Sequence, residues 1–294
     1  MTQPRNFFAR RSKPFLWAAL FCLALGGCAS TTPSVDSKTL PSAAQTEPED
    51  DSPSTGGGFA GYAPEVSGTA WALQSGRAAL RQAQANLAAS DLLWELFRSP
   101  SKPLTKYEYV RLDGRDAVQA QAQASAGLLR QRFRVEPPEL GRLRFSWKVP
   151  QTIEGAVVGS ADNDDAPVRV VMAFDGDRSK LSSRTALISE LSRLLVGEEL
   201  PYATLAYVWT NKDRPGQVVN SYRTDRVRSI VLESGEQRLN QWLEYERDIR
   251  ADFIKAFGEP PGALISIAIG TDYDGTQMPI RAWYGPLQVL APAP

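Results

Sequence analysis

Residues 107–124, YEYVRLDGRDAVQAQAQA, decide the fold class. Tyr107–Leu112 is a short run rich in aromatic and β-branched residues. Asp113-Gly114 follows as a two-residue turn pair, and Ala117–Ala124 alternates small apolar with polar residues. A period of two on either side of Asp-Gly is the pattern of a β-hairpin, because successive strand side chains point to opposite faces and the pair supplies the positive φ that a tight turn needs. Working outward, the same texture recurs at Leu128–Val135, Leu143–Val149, Val168–Phe174, Leu205–Trp209, Val227–Glu233, Ala263–Thr271 and Ile280–Leu290. About nine strands with two interrupting helices predict a mainly β, two-sheet sandwich spanning 104–291.

The two helices read as covers over the sandwich. Ser183–Val196 places Ala186, Leu187, Leu191, Leu194 and Leu195 on one face and stops at Gly197. Arg238–Phe257 carries Trp242, Ile249, Phe253 and Phe257 on a stripe, is supported by a Glu246–Arg250 pair, and ends at Gly258 with Pro260-Pro261 beyond. A third helix is expected over 69–98, within an N-terminal segment 69–103. Leu73, Leu80, Leu87 and Trp94 recur every seven residues there. Its companion positions Gly76, Ala83, Ser90 and Phe97 make a poor coiled-coil seam, so packing on its own domain is the preferred reading over docking on a partner.

Ahead of this lies a different kind of sequence. Arg5, Arg10, Arg11 and Lys13 precede the apolar run Phe15–Leu25, and no acid occurs before Cys28. The run suits an export signal and is too short for a bilayer, which needs about 20 residues. Leu25-Gly26-Gly27-Cys28 resembles the lipobox of bacterial lipoproteins, which implies removal of residues 1–27 and lipidation at Cys28. Ala29 after the cysteine implies an outer-membrane location in the cell envelope, facing the periplasm. Residues 28–68, rich in Ser, Thr, Pro, Gly and acids, hold too few apolar groups to offset ordering and read as a disordered tether.

Composition narrows the chemistry. The chain has 33 basic and 33 acidic residues. Without residues 1–27 it has 29 against 33, and most of that excess lies in the tether, so the body is near neutral and lacks the footprint of a nucleic-acid binder. Cys22 and Cys28 are the two cysteines, and there is no histidine. Beyond residue 28 this excludes disulfides, thiolate sites, histidine-ligated metals and Ser-His-Asp or Cys-His catalysis. Any chemistry falls to carboxylates, Lys, Tyr, Ser, Thr or an oxygen-ligated ion.

Five stretches, in order, are similar to a family of envelope proteins known as domain of unknown function 3047. They are Phe145–Val149 (FSWKV), Asp164–Val170 (DDAPVRV), Leu200–Trp209 (LPYATLAYVW), the Trp242, Arg247-Asp248, Asp252, Phe257-Gly258 set, and Thr271–Thr276 (TDYDGT). The resemblance covers roughly 104–291. It implies a jelly-roll-like sandwich similar to lectin and carbohydrate-binding modules, and it implies no activity. Gly275-Thr276 stands where the family has Asn-Thr, and Tyr284-Gly285-Pro286 where it has Tyr-Gly-Asp. Loss of that aspartate to Pro286 weakens the case for a structural calcium, and no other cofactor is expected.

Candidate ligand-binding residues follow from the residue types. Asp162, Asp164 and Asp165, with Asp175 and Asp177 taken as the next turn, could serve an ion, a polar ligand or a glycosidase pair, against the reading of solvated turns. Asp272 and Asp274 sit at the end of the apolar strand LISIAIG. Among Trp147, Tyr202, Tyr207, Trp209, Tyr222, Trp283 and Tyr284, Trp209 is the candidate for stacking on a sugar, since Thr210–Asp213 leads straight into a loop, whereas Trp147 and Trp242 read as core. The expected function is a lipid-anchored, non-catalytic binding or assembly module, with a glycan or an envelope protein as partner besides the membrane. Its rivals are a carboxylate-dependent glycosidase or lyase using Asp162, Asp164, Asp175 or Asp272, and a structural lipoprotein holding a partner through helix 69–98.

Overall fold

The computed structural model describes residues 60–77, 93–98, 102–273 and 279–292. In chain order the elements are β1 (Ala60–Tyr62), α1 (Ala70–Leu73), β2 (Glu95–Arg98), β3 (Lys106–Leu112), β4 (Arg115–Ala122), β5 (Gly127–Val135), β6 (Arg142–Lys148) and β7 (Ala166–Phe174). There follow α2 (Ser183–Val196), β8 (Ala203–Thr210), β9 (Val218–Asn220), β10 (Val227–Ser234), β11 (Trp242–Asp248), α3 (Ile249–Phe257), β12 (Leu264–Asp272), β13 (Ile280–Tyr284) and β14 (Gln288–Leu290).

The opening hairpin forms as its sequence demands. Leu112 pairs with Arg115, and Asp113 (φ 52°) and Gly114 (φ 74°) both take the left-handed conformation of a two-residue turn. From it grows a sheet in the order β11-β6-β13-β4-β3, with β14 also on β6. The facing sheet runs β1-β2-β5-β12-β7-β8-β10-β9. All nine expected strand regions are present, the last divided into β13 and β14 at Gly285-Pro286. The protein is mainly β, with the two sheets packed as a sandwich. One pair departs from the antiparallel habit of a jelly roll: β10 runs parallel to β8.

Between the sheets the inward residues of both make one core. Val168, Val170, Met172 and Phe174 of β7 are all buried from one face, the alternation that a half-covered strand produces. Phe145 of β6 stacks on Tyr207 of β8 at 5.6 Å and on Tyr245 of β11 at 5.2 Å, while Trp147 meets Tyr245 edge-on at 5.1 Å. Trp147 is therefore core, as expected. Trp242 is only half-buried: its indole donates to Asp113 (3.0 Å), with the Arg115 guanidinium over its ring.

Three expected segments need new bounds. The helix expected over 69–98 is not continuous: one turn runs from the Thr69 cap to Leu73, Gly76 takes a positive φ of 63°, and the far end is a strand, while residues 78–92 lie outside the described residues. Trp94, placed on its heptad seam, instead packs against Trp71 at 4.6 Å in the core, and Glu95–Arg98 is strand β2, hydrogen-bonded to β1 and β5. Leu80 and Leu87 lie outside the described residues. The tether expected to reach residue 68 stops earlier, because Ala60–Tyr62 pairs with β2 and Ala63 and Val66 are buried. Finally, the helix expected over Arg238–Phe257 is strand β11 followed by α3. Leu243, Tyr245 and Arg247 alternate inward along β6, Glu246 pairs with Arg144 at 2.7 Å rather than with Arg250, and Asp248 caps α3 by accepting from the Ala251 amide.

The helix α2 forms within its expected bounds, capped by Ser182 and by Gly197 in the left-handed conformation. Its orientation is the reverse of the expected one. Thr185 and Ser189 are buried, whereas Leu187, Leu191, Leu194 and Leu195 are exposed. By contrast α3 packs its apolar side inward, with Phe253 against Phe174 at 4.7 Å.

Candidate functional site

The acidic residues before β7 and at the end of β12 meet on one side chain that was not singled out, Arg169. It sits on the outer face of β7, where β12 runs alongside and Gly270 is its cross-strand partner. A Cβ on Gly270 would stand 2.6 Å from the Leu128 side chain and 3.8 Å from the Arg169 Cβ, so the glycine keeps this crowded position open. Just beyond Gly270 the register shifts by a bulge, and Asp272 is re-aimed toward Arg169.

Arg169 Nε donates to Asp272 Oδ1 at 3.0 Å. Its Nη2 reaches Asp272 Oδ2 (3.4 Å), Asp164 Oδ1 (3.0 Å) and the Asp164 carbonyl (2.6 Å). One nitrogen thus serves both carboxylates, and these are no farther apart than two hydrogen bonds allow. The Gly159 amide also donates to Asp164 Oδ1 at 2.8 Å, which pins the 159–165 loop to the strand. Burial by itself would loosen the Arg169 proton, but the Asp272 and Asp164 charges outweigh it and the guanidinium is held more firmly protonated than usual. At Asp272 burial wins: its pKa lies above the ordinary aspartate value, although Arg169 pulls it down.

Beneath this bridge lies a set of buried hydroxyls, those of Tyr284 and Tyr107 from the other sheet and that of Thr271 from β12 itself. Tyr284 of β13 donates to the Gly270 carbonyl at 2.5 Å and lies 2.9 Å from Thr271 Oγ1. Thr271 Oγ1 donates to the Pro167 carbonyl, Thr105 to the Thr271 carbonyl, and Tyr107 of β3 to the Gly127 carbonyl. Each of these buried carbonyls thus accepts from a hydroxyl near the bulge. Burial drives the Tyr107 and Tyr284 hydroxyls well above the usual phenol range, so they remain protonated donors.

Above the bridge is an open polar pocket of about 320 Å³, lined by Lys102, Asp162, Asp164, Asp165, Arg169, Tyr222, Arg223 and Asp272. Tyr222 is 38% exposed, its ring lies 5.1 Å from the Arg223 guanidinium, and its amide donates to the Gly159 carbonyl at 3.1 Å. The structure therefore unites Asp162, Asp164, Asp165 and Asp272, with Asp162 exposed on the rim and Asp165 buried.

Other candidates are not part of it. Asp175 and Asp177 stand at the opposite end of β7, whose nine residues span about 30 Å. There Asp175 pairs with Arg134 at 2.9 Å, and Asp177 accepts from the Ser179 amide as the cap of a short turn. Trp209 is wholly buried and donates to the Gly235 carbonyl at 2.9 Å, so it offers no stacking face. Its neighbours Ala206, Tyr207 and Val208 are buried as well, because β8 is covered on both faces. Asp274 and Cys28 lie outside the described residues. Among the described residues no three carboxylates converge as an ion would need.

A two-sheet sandwich with a mixed-charge pocket at one end of its central strands defines a class; comparison with known sequences assigns the family. The model of the family described as Protein of unknown function (DUF3047) matches residues 93–288, and the chain belongs to that family. A search of curated proteins finds no match. Among solved structures, the glycoside hydrolase domain of Endo-D from Streptococcus pneumoniae R6 is similar at 10% identity and a TM-score of 0.31, over 65% of this chain and 21% of that one. This chain thus spans about a fifth of that protein, and the likeness carries no functional argument.

Proposed function

We propose that this protein is a lipid-anchored binding module of the bacterial cell envelope that holds a polar ligand, a glycan, in the Arg169 pocket. The observation that carries the reading is the arginine bridge. Two carboxylates from distant parts of the chain are fixed on one guanidinium at the floor of an open pocket whose rim bears an exposed tyrosine. Three cations and four carboxylates line it, a balance suited to the many hydroxyls of a sugar rather than to a polyanion. The Tyr222 ring is placed to stack on a sugar face. The anchor is inferred from Leu25–Cys28 and the basic-apolar start, with Ala29 directing it to the outer membrane.

Passive binding is preferred to hydrolysis because both Asp272 oxygens face Arg169. A carboxyl so engaged is poorly placed to protonate a leaving group. One observation favours the rival glycosidase: Asp272 has its pKa raised by burial, as a general acid would.

A glycan array probed with the protein and with Tyr222→Ala separates the two. A binding module gives a signal that falls at least tenfold in Tyr222→Ala, with the bound glycans recovered intact. Cleaved glycans from the wild type, absent with Asp272→Asn, would establish the enzyme instead.

A further inference from the structure

Helix α2 is fastened to the body by its hydroxyls. Thr185 Oγ1 donates to Asp225 Oδ1 at 2.7 Å, and Ser189 Oγ accepts from Arg178 Nη2 at 2.6 Å and from the Leu200 amide at 3.1 Å. Ser192 Oγ donates to the Glu198 carbonyl at 2.8 Å. Amphipathic surface helices ordinarily bury the opposite side. Here Leu187, Leu191, Leu194 and Leu195, between 47% and 67% exposed, form a stripe at i, i+4, i+7 and i+8. Turning them inward would unpair Thr185 and Ser189, both nearly fully buried, so the rotation is fixed.

We propose that this leucine stripe rests on the interfacial zone of a lipid bilayer. The case for lipid as the occupant comes from where the preceding chain enters the fold. Fifty-nine residues stand ahead of Ala60, and they include the export-signal pattern and Cys28. Ala60 opens β1, the edge strand next to β2, which in turn pairs with β5. The same two strands are clamped to the C-terminal end of α2, where Leu194 and Leu195 lie. Arg130 of β5 binds Glu95 of β2 at 2.8 Å and Glu198, one residue past the Gly197 cap, at 2.9 Å. The arm therefore joins the body at the edge tied to the leucine stripe. Thirty-one residues separate Cys28 from Ala60, a reach of up to about 100 Å when extended. An anchored arm holds the body at high local concentration near the bilayer, so four exposed leucines suffice for docking, with Arg193 neutralised by Glu190 on the same helix.

The cellular setting rests on the proposed anchor, but the contact itself is tested without lipid on Cys28, in the full chain with Cys22 and Cys28 both replaced by Ser. In that background Leu194→Cys carries an environment-sensitive fluorophore at a single position. Mixing with vesicles of phosphatidylethanolamine and phosphatidylglycerol is expected to shift its emission to the blue. A fluorophore at Lys106→Cys, on the other sheet, should not respond. Sedimentation with the same vesicles should fall about tenfold when Leu187, Leu191, Leu194 and Leu195 are all replaced by Gln. If that variant fails to fold, the fluorophore result still decides. No blue shift at 194, or unchanged sedimentation of a folded variant, overturns the proposal. So does a blue shift that needs no vesicles and grows with protein concentration, which would assign the stripe to a second copy. Palmitate incorporation into the full chain, and its loss in Cys28→Ser, tests the anchor separately.

Discussion

The two ends of strand β7 look alike in sequence and differ in what they build. Each carries a cluster of aspartates beside an apolar run. At the N-terminal end Asp164 and Asp272 close on Arg169, whose side chain is 14% exposed, over a floor of buried hydroxyls. At the C-terminal end Asp175 meets Arg134 with both side chains about half exposed. The chemical pair is the same, a guanidinium and a carboxylate, but the solvent differs. In water such a pair contributes little, whereas a largely buried one is costly to break because its partner is left charged without compensation. The difference shows which acidic cluster is a constructed site and which is surface.

The comparison is sharpest under substitution. Arg169→Leu should cost about 3–5 kcal/mol of unfolding free energy in a urea titration, since it strands two carboxylates at once. A loss below about 1 kcal/mol would mean that the bridge is as well solvated as the Arg134 pair. Tyr284→Phe, which removes the hydroxyl under Gly270 and keeps the ring, should cost about 1–3 kcal/mol through the unpaired carbonyl. Arg134→Leu should leave the urea midpoint close to that of wild type.

The two ends should also respond to pH with opposite signs. Burial raises the Asp272 pKa above 3.8, so the folded state holds that proton more tightly than the unfolded chain. Its contribution to stability is complete below 3.8 and is lost as pH rises through the folded value. Asp175 is lowered by its hydrogen bond to Arg134, so its contribution is present above 3.8 and is lost as pH falls. Stability measured against pH should therefore lose a falling component in Asp272→Asn and a rising component, below pH 3.8, in Asp175→Asn. The same sign in both variants would break the contrast.

Much of the fold was legible because alternation and turn chemistry are local. Asp113-Gly114 and the period-two runs around it predict β3 to within one residue and β4 to within two. Elements that satisfy two periods at once were not legible. Trp242 falls on a helical stripe with Ile249, Phe253 and Phe257, yet Trp242–Asp248 also fits a strand, and only pairing with β6 decides between them. Trp94 was readable as a heptad position until the sheet edge claimed it. In α2 the period identified a helix correctly but said nothing of which side meets the body, since the buried side is chosen by hydroxyl contacts with Arg178, just ahead of the helix, and with Asp225, 40 residues on from Thr185.

The site was half legible. Asp162, Asp164, Asp165 and Asp272 were recognisable as candidates by type, and nearness in sequence wrongly grouped the first three with Asp175. The residue that joins them was missed, although a signal exists: Arg169 is the one charged residue inside the apolar run of β7. Its partner Asp272 lies 103 residues away, a separation that only the pairing of β7 with β12 closes.

The most direct test of the account is to follow the Arg169 side-chain Nε–H resonance by NMR while titrating solubilised cell-wall glycan. A saturable shift of that signal, together with the backbone amides of Lys102, residues 162–165 and Tyr222, is the predicted result. Saturable shifts confined to other surfaces, with Arg169 unmoved, would contradict the assignment of this pocket as the binding site.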